Sequence, residues 1–193
     1  MVEAFFVGKG VSSMRIFISG GCKTGKSSHA QRLAVRQRVP GRPLYYLATM
    51  VPKDAEDMER ILRHQRERAG CGFETVEVSN SLRSVTDGRL DLTGSVLLDS
   101  ITALLSDAMF SIDGTVDMDA HKRLAEELLD LLNACPRIVL VSDWIFSDAW
   151  RYETLTEAYR QRLAWLDRKL AETCDVALEA AYGNLLTWKG SLQ

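Results

Sequence analysis

Apolar residues along this chain fall into two alternating rhythms. Short uninterrupted runs such as Leu44-Tyr45-Tyr46-Leu47, Val96-Leu97-Leu98 and Ile138-Val139-Leu140-Val141 read as buried strands, and between them apolar positions recur at helical spacing. The pattern predicts strands at 14–19, 44–48, 75–78, 95–99, 137–142, 175–180 and 184–188, and helices at 27–38, 55–69, 101–110, 118–134 and 154–173. Such alternation implies right-handed crossovers and a mostly parallel sheet with helices on both faces, an α/β fold of three layers that takes ligands at the carboxyl ends of its strands. The last two strands, joined through Tyr182-Gly183-Asn184, suit an antiparallel edge hairpin, because a Gly-Asn pair fits a tight turn.

A chain of 193 residues, 46% apolar, is long enough to bury one sizeable core and short for two, so residues 14–193 are expected to form a single domain. Residues 1–13 read as an N-terminal extension. Their apolar run Ala4-Phe5-Phe6-Val7 is too short for a secretory core or a membrane span. Met14 directly precedes the first strand, so either translation begins there or the preceding residues form a loose arm. A formal charge of −2 over mixed signs offers no basic face for nucleic acid and no attraction to an anionic membrane, which points to a small ligand. The cysteines at 22, 71, 135 and 174 form no C-x-x-C pair and no Cys/His ligand spacing. Neither a disulfide framework nor a structural zinc site is indicated, as fits a reducing cytoplasm.

The segment Gly20-Gly21-Cys22-Lys23-Thr24-Gly25-Lys26-Ser27 fits the pattern G-x-x-x-x-G-K-[ST] and lies between the first strand and the first helix, where a phosphate-binding loop must lie. Glycines let the backbone turn and aim successive N–H groups inward, where they and the positive end of the helix dipole hold a chain of phosphates. In this reading Lys26 neutralises the distal phosphates and the Ser27 hydroxyl joins the shell of a Mg2+ ion, which favours hard oxygen ligands. The expected substrate is a nucleoside triphosphate, GTP or ATP, on a P-loop NTPase-like sheet. Asp99, ending Ser95-Val96-Leu97-Leu98, stands where a metal-side acid is expected. Asp143, ending Ile138-Val139-Leu140-Val141-Ser142, is its rival, and either could instead cap a helix or a turn.

In the helix after the second strand, Met58, Ile61, Leu62 and Gln65 define an inward stripe with His64 beside it. Arg60, His64 and Arg68, spaced by four, make one row with a guanidinium on either side of the imidazole. Cations so placed favour the neutral, nucleophilic ring and can clamp phosphate oxygens while it attacks phosphorus. The same spacing also describes a solvated face laced with ion pairs, Glu56 with Arg60 and Glu67 with Arg63. Spacing alone does not choose between them.

The strings Ser19-Gly20-Gly21-Cys22-Lys23-Thr24-Gly25-Lys26-Ser27-Ser28-His29-Ala30, Tyr46-Leu47-Ala48-Thr49, Asp54-x-Glu56-x-x-x-Arg60-Ile61-x-x-His64, Arg66-x-Arg68, Thr75-Val76-Glu77 and Leu97-Leu98-Asp99-Ser100-Ile101-Thr102 occur together in this order. In this the chain resembles the bifunctional adenosylcobinamide kinase / adenosylcobinamide-phosphate guanylyltransferases of cobalamin assembly, over most of residues 14–142. The resemblance implies a nucleotide site in residues 20–28, Ser28 included, and a histidine matching His64 that GTP guanylylates before GMP passes to cobinamide phosphate. It further implies that Thr49, Arg68, Glu77 and Asp99 surround the nucleotide or its metal, that the acceptor is a corrinoid, and that the protein is a homotrimer.

The chain also departs from the family. Where the family usually reads V-[ST]-N-E-V-G-x-G-I-V-P after the fifth strand, this chain has Val141-Ser142-Asp143-Trp144-Ile145-Phe146-Ser147-Asp148. The expected G-x-x-N-Q-x-L-A is Ala164-Trp165-Leu166-Asp167-Arg168-Lys169-Leu170-Ala171, and the Asn after the L-T segment is Asp107. The Arg-Pro after the histidine is Arg68-Ala69, and the Trp before T-[IV]-E is Phe73. Nucleotide residues are thus kept better than the carboxyl-terminal set. Two alternatives stay open: a P-loop kinase of another small metabolite, and a catalytically impaired nucleotide-binding homologue with a regulatory role. His29 matches a family histidine but is equally suited to packing on the sheet, and His121 reads as surface. Trp144, Trp150, Trp165 and Trp188 are expected mainly in the core, with lining of a corrinoid pocket as the alternative.

Overall fold

In the computed structural model, which describes residues 13–192 except 53 and 147 and omits the side chains of Glu56 and Arg60, the chain alternates strand and helix as its apolar pattern implies. The elements are β1 (Arg15–Gly20), α1 (Lys26–Arg36), β2 (Leu44–Ala48), α2 (Ala55–Arg68), β3 (Glu74–Glu77), α3 (Arg83–Thr86), β4 (Ser95–Asp99), α4 (Ile101–Met109), α5 (Ala120–Ala134), β5 (Ile138–Asp143), α6 (Thr154–Thr173), β6 (Val176–Ala181) and β7 (Asn184–Lys189). Residues 1–12 of the expected extension lie outside the described residues.

All seven strands join one sheet in the order β3-β2-β4-β5-β1-β6-β7. Every pairing is parallel except β6 with β7, which run antiparallel. Side chains alternate across the strands and so build two cores. Phe17, Leu98 and Leu140 pack with Leu104, Leu128 and Leu166 from α4, α5 and α6. On the other face Ile18, Leu97 and Val139 pack with Ala30, Leu33 and Ala34, of which the last three belong to α1. Burial on both faces explains why the central strands read as continuous apolar runs. Because β1 sits between β5 and β6 while β2 lies beyond β4, the connections after β1 and β4 depart in opposite senses, and their carboxyl ends open a crevice of the kind that receives ligands.

Three expectations change. The single turn α3 is not legible in the pattern because tertiary bonds hold it: Glu127 on α5 accepts from the Leu82 N–H at 2.6 Å and the Ser81 hydroxyl at 2.9 Å. The stripe expected on α2 is rotated. Met58 and Leu62 are 46% and 44% exposed, whereas Ile61 and His64 turn partly inward and Arg68 is buried. That face looks onto polar side chains, so apolar periodicity misplaces it. The hairpin turn centres on Tyr182-Gly183, with φ of 50° and 77°, and Asn184 already belongs to β7. A two-residue turn with both φ positive matches the twist of the flanking strands.

Candidate functional site: the phosphate loop and its two flanks

Between β1 and α1 the backbone of residues 20–26 wraps into a cradle. Lys23 has φ of 57° and Gly25 has φ of 91°, the latter at the N-cap of α1 with no side-chain cap. The N–H groups of the first helical turn are therefore left for a ligand, with the helix dipole behind them. Gly20 is required by packing: a Cβ there would fall 2.5 Å from the carbonyl oxygen of Ala180, so the loop begins flush against β6. The Thr24 hydroxyl donates to the Gly21 carbonyl at 2.9 Å. Lys26 is 6% exposed; its Nζ donates to the Gly21 carbonyl at 2.5 Å and pairs with Asp143 Oδ1 at 2.8 Å. Cys22 and Ser28 are exposed on the outer side.

On the β4 flank stands Asp99. The Ser27 hydroxyl lies close enough to its carboxylate to favour the charged form, and the Tyr46 hydroxyl donates to Oδ2 at 3.2 Å. Burial pushes the Asp99 carboxyl above the usual carboxylate range and the nearby Asp143 charge adds to this, while Ser27, His64 and Tyr46 oppose it. Burial likewise pushes the Tyr46 phenol up, with the Asp99 charge acting in the same sense. Neither acid is a helix cap: the cap of α4 is Ser100, whose hydroxyl accepts from the Ala103 N–H at 3.3 Å.

His64 comes to the same place. Its Nδ1 lies 4.0 Å from Asp99 Oδ2, from a partly buried position on α2. The helix is started by Asp54, whose carboxylate accepts from the Asp57 N–H at 2.8 Å. Of the expected row of cations, Arg68 is engaged elsewhere. Arg68 instead lays its guanidinium 4.0 Å above the Tyr46 ring and donates to Thr75 at 3.3 Å, a stacked, hydrogen-bonded position that a planar cation favours when buried. The Arg60 side chain lies outside the described residues. Thr49 is fully buried, donating to the Ser100 carbonyl at 2.8 Å and accepting from its N–H at 2.6 Å. It braces the ends of β2 and β4 behind Asp99. Glu77 stands exposed at the end of β3, in register with Ala48.

Sequence reasoning missed a layer behind Asp143. The Asp143 N–H donates to the Thr102 hydroxyl at 2.7 Å, and the Tyr159 hydroxyl on α6 donates to the Thr102 carbonyl at 2.8 Å. Asp167 is 5% exposed, and burial raises its carboxyl to about 7; the Ser142 hydroxyl lies close enough to lower it slightly without forming a well-aligned hydrogen bond. The available signal was an acidic residue on the apolar stripe of Leu163, Leu166 and Leu170. The loop after β5, which departs from the family pattern, is pinned by buried Arg160. That guanidinium donates to the Ile145 carbonyl at 2.9 Å and the Trp150 carbonyl at 3.3 Å, and pairs with Asp148 at 2.6 Å.

The opposite flank of the loop borders a cleft of about 490 Å³ between it and the β6–β7 hairpin, lined by Lys23, Thr24, Trp144, Glu179 and Tyr182 among others. Trp144, Trp150 and Trp188 are 38%, 72% and 73% exposed, against the expectation of core positions, because the loop after β5 and the edge strand carry them outward. Trp165 packs on the core, and His121 sets its ring edge-on to it at 5.3 Å rather than lying free on the surface. His29 meets the Gly183 carbonyl through Nε2 at 2.9 Å, and Arg32 reaches its Nδ1 at 2.9 Å. With Arg32 donating, Nε2 carries the proton and ties the hairpin tip to α1.

Ser27, Asp99 and Asp143 present only hard oxygens, and Asp99 is a buried carboxylate whose nearest basic group is the His64 ring at 4.0 Å among the described residues, so the donor set suits Mg2+. Among the described residues no three His, Cys, Asp or Glu side chains gather to hold a metal by themselves. Among the described residues no helix is long and apolar enough to cross a membrane.

Known proteins resemble this chain. The family described as cobinamide kinase / cobinamide phosphate guanyltransferase matches residues 16–187. The bifunctional adenosylcobalamin biosynthesis protein CobP of Pseudomonas aeruginosa is 29% identical over 178 residues, covering 92% of this chain and 98% of the relative. The corresponding CobU of Salmonella typhimurium is 25% identical over 173 residues, covering 84% and 92%. A solved structure from Pyrococcus horikoshii shares the fold with a TM-score of 0.56 at 8% identity, over 94% of this chain and 89% of that one. A glycine-rich loop after β1, a buried acid ending β4 and a histidine brought to that acid thus accompany a match over nearly the whole described chain, and the protein belongs to the cobinamide kinase / cobinamide phosphate guanyltransferase family.

Proposed function

We propose that the protein is a nucleotide-dependent transferase of adenosylcobalamin biosynthesis that carries out two steps at one phosphate loop. In the first, a hydroxyl oxygen of adenosylcobinamide forms a bond to the γ-phosphorus of GTP or ATP as the bond from that phosphorus to the β-bridging oxygen breaks. The hydroxyl proton passes to a carboxylate at the end of β4 or β5. In the second, a His64 nitrogen bonds to the α-phosphorus of GTP and pyrophosphate leaves; a phosphate oxygen of cobinamide phosphate then displaces the histidine and takes the GMP. Passing through a phosphoramidate divides one hard displacement into two easier ones.

The observation that carries this reading is His64 Nδ1 4.0 Å from Asp99 Oδ2, on an acid that also lies near Ser27 of the loop. A carboxylate near Nδ1 favours the tautomer with its proton there and leaves Nε2 as the nucleophile. Lys26 withdraws charge from the distal phosphates, and the α1 N-terminus holds them. Ser27, Asp99 and Asp143 would hold Mg2+, which supplies charge neutralisation on the phosphate oxygens. The exposed Met58 and Leu62 on α2 and the edge strand β7 are surfaces available for a homotrimer.

Incubation with α-labelled GTP tests the covalent step. Acid-labile label is expected on the native protein and none on His64→Ala, with phosphorylation of adenosylcobinamide retained in that variant. Label from the γ-phosphate with none from the α-phosphate would leave a kinase alone.

A further inference from the structure

The phosphate loop has two flanks, and the two reactions proposed above need opposite ones. Lys26, Ser27 and Asp99 define the end where the transferred γ-phosphoryl group lies, and His64 stands at that same end, 4.0 Å from Asp99. A nucleotide whose γ-phosphate occupies this end must project its base away from His64. For His64 to reach an α-phosphorus, the nucleotide must instead lie with its α-phosphate there, and its base leaves on the β2 side. One pose cannot serve both steps.

The far flank is built to receive the first base. The cleft of about 490 Å³ begins at the loop residues Gly21, Lys23 and Thr24 and runs to Trp144, Glu179 and Tyr182, within the size range of about 300–1,000 Å³ for cofactor pockets. Trp144 is held by the loop that Arg160 pins, its ring packing on Phe146 at 6.3 Å. Glu179 is fixed by Trp188, whose indole N–H donates to Oε2 at 2.8 Å. Tyr182 carries an independent signal. Its φ of 50° is a backbone region that bulky residues rarely occupy, yet the side chain is 98% exposed and gains no packing in return. His29 holds that turn against α1 through the Gly183 carbonyl at 2.9 Å, so the hairpin tip that carries Tyr182 is kept beside the loop.

We propose that this cleft is the purine subsite for the phosphoryl donor, with Trp144 and Tyr182 as the stacking surfaces and the Glu179 carboxylate accepting from an amino or ring N–H of the base. Aromatic rings flank a flat π-system and an acceptor meets its polar edge, which is the chemistry of a nucleobase. The inference rests on the proposed function above and adds that its two reactions use different base positions.

The test compares Trp144→Ala, Tyr182→Ala and Glu179→Gln with wild type in two assays: the KM for ATP and GTP in phosphorylation of adenosylcobinamide, and labelling of His64 by α-labelled GTP. Both aromatic variants are expected to raise the nucleotide KM about five- to a hundred-fold, the range expected for losing one base–aromatic stack, with kcat and His64 labelling within about two-fold of wild type. Affinity for inorganic tripolyphosphate, which has no base, should stay unchanged. Tyr182→Gly should raise the melting temperature while raising the same KM, separating loss of the ring from loss of folding. Equal nucleotide KM in all variants, a KM rise for adenosylcobinamide alone, or loss of His64 labelling in step with phosphorylation would each overturn the assignment and leave the proposed function standing. A wild-type protein that takes up neither ATP nor GTP would overturn both.

Discussion

The ammonium of Lys26 lies 2.8 Å from Oδ1 of Asp143, so the lysine of the phosphate loop is held by the end of β5. It also donates to the Gly21 carbonyl of its own loop, at 2.5 Å. A triphosphate must therefore compete with a carboxylate for the cation. In EDTA, Asp143→Asn is expected to tighten nucleotide binding about five-fold, the equivalent of an ion pair worth about 1 kcal/mol, whereas Lys26→Ala should weaken it. Isothermal titration reads both, and weaker binding by Asp143→Asn in EDTA would show that the pair does not oppose the ligand.

The helix that carries His64 depends on its first residue. Asp54 accepts from the Asp57 N–H at 2.8 Å, and among the described residues of α2 only Arg68 is buried, so the helix has little packing to spare. Asp54→Ala should cost about 1 kcal/mol of local helix stability. Hydrogen exchange in residues 55–68 should quicken and His64 labelling should slow, with phosphorylation of adenosylcobinamide little changed; unchanged exchange would mean that the cap does not hold the helix.

Asp167 makes stability depend on pH. Burial raises its carboxyl to about 7, whereas in the unfolded chain an aspartate titrates near ~3.9. Between these values the folded protein keeps a proton that the unfolded chain has released, so the contribution is complete below about pH 4 and is lost as the pH rises through about 7. About three pH units at ~1.4 kcal/mol each set an upper limit of ~4 kcal/mol. Asp167→Asn should melt higher than wild type at pH 8, by a margin that narrows at pH 5. Calorimetry that finds the same margin at both would exclude titration of Asp167 as the cause.

Gly20 joins the phosphate loop to the hairpin flank. An alanine Cβ would stand 2.5 Å from the Ala180 carbonyl oxygen, a backbone group that cannot swing aside as a flexible side chain would. Gly20→Ala should destabilise the protein by about 1–3 kcal/mol and weaken nucleotide binding as the cradle shifts. A melting temperature equal to wild type would mean that β6 can retreat at no cost.

What the chain's pattern determined by itself was local. Every strand of the sheet and each of the five longer helices is legible in the apolar pattern, and most plainly the central strands, because burial on both faces leaves a continuous apolar run. The phosphate loop is likewise legible, since a tight turn onto a helix start needs its glycines and lysine in one contiguous segment. Tertiary structure decided which side chains from distant elements meet. It brought His64 to Asp99, turned Arg68 away onto Tyr46, set Asp143 against Lys26 and stood Tyr182 beside the loop. It also rotated α2 from the stripe its apolar residues suggested, because the face packed over the site is polar and hydrophobicity does not mark it. Periodicity records how each element meets the core, whereas the site is made where the carboxyl ends of separate strands converge, and that convergence depends on strand order.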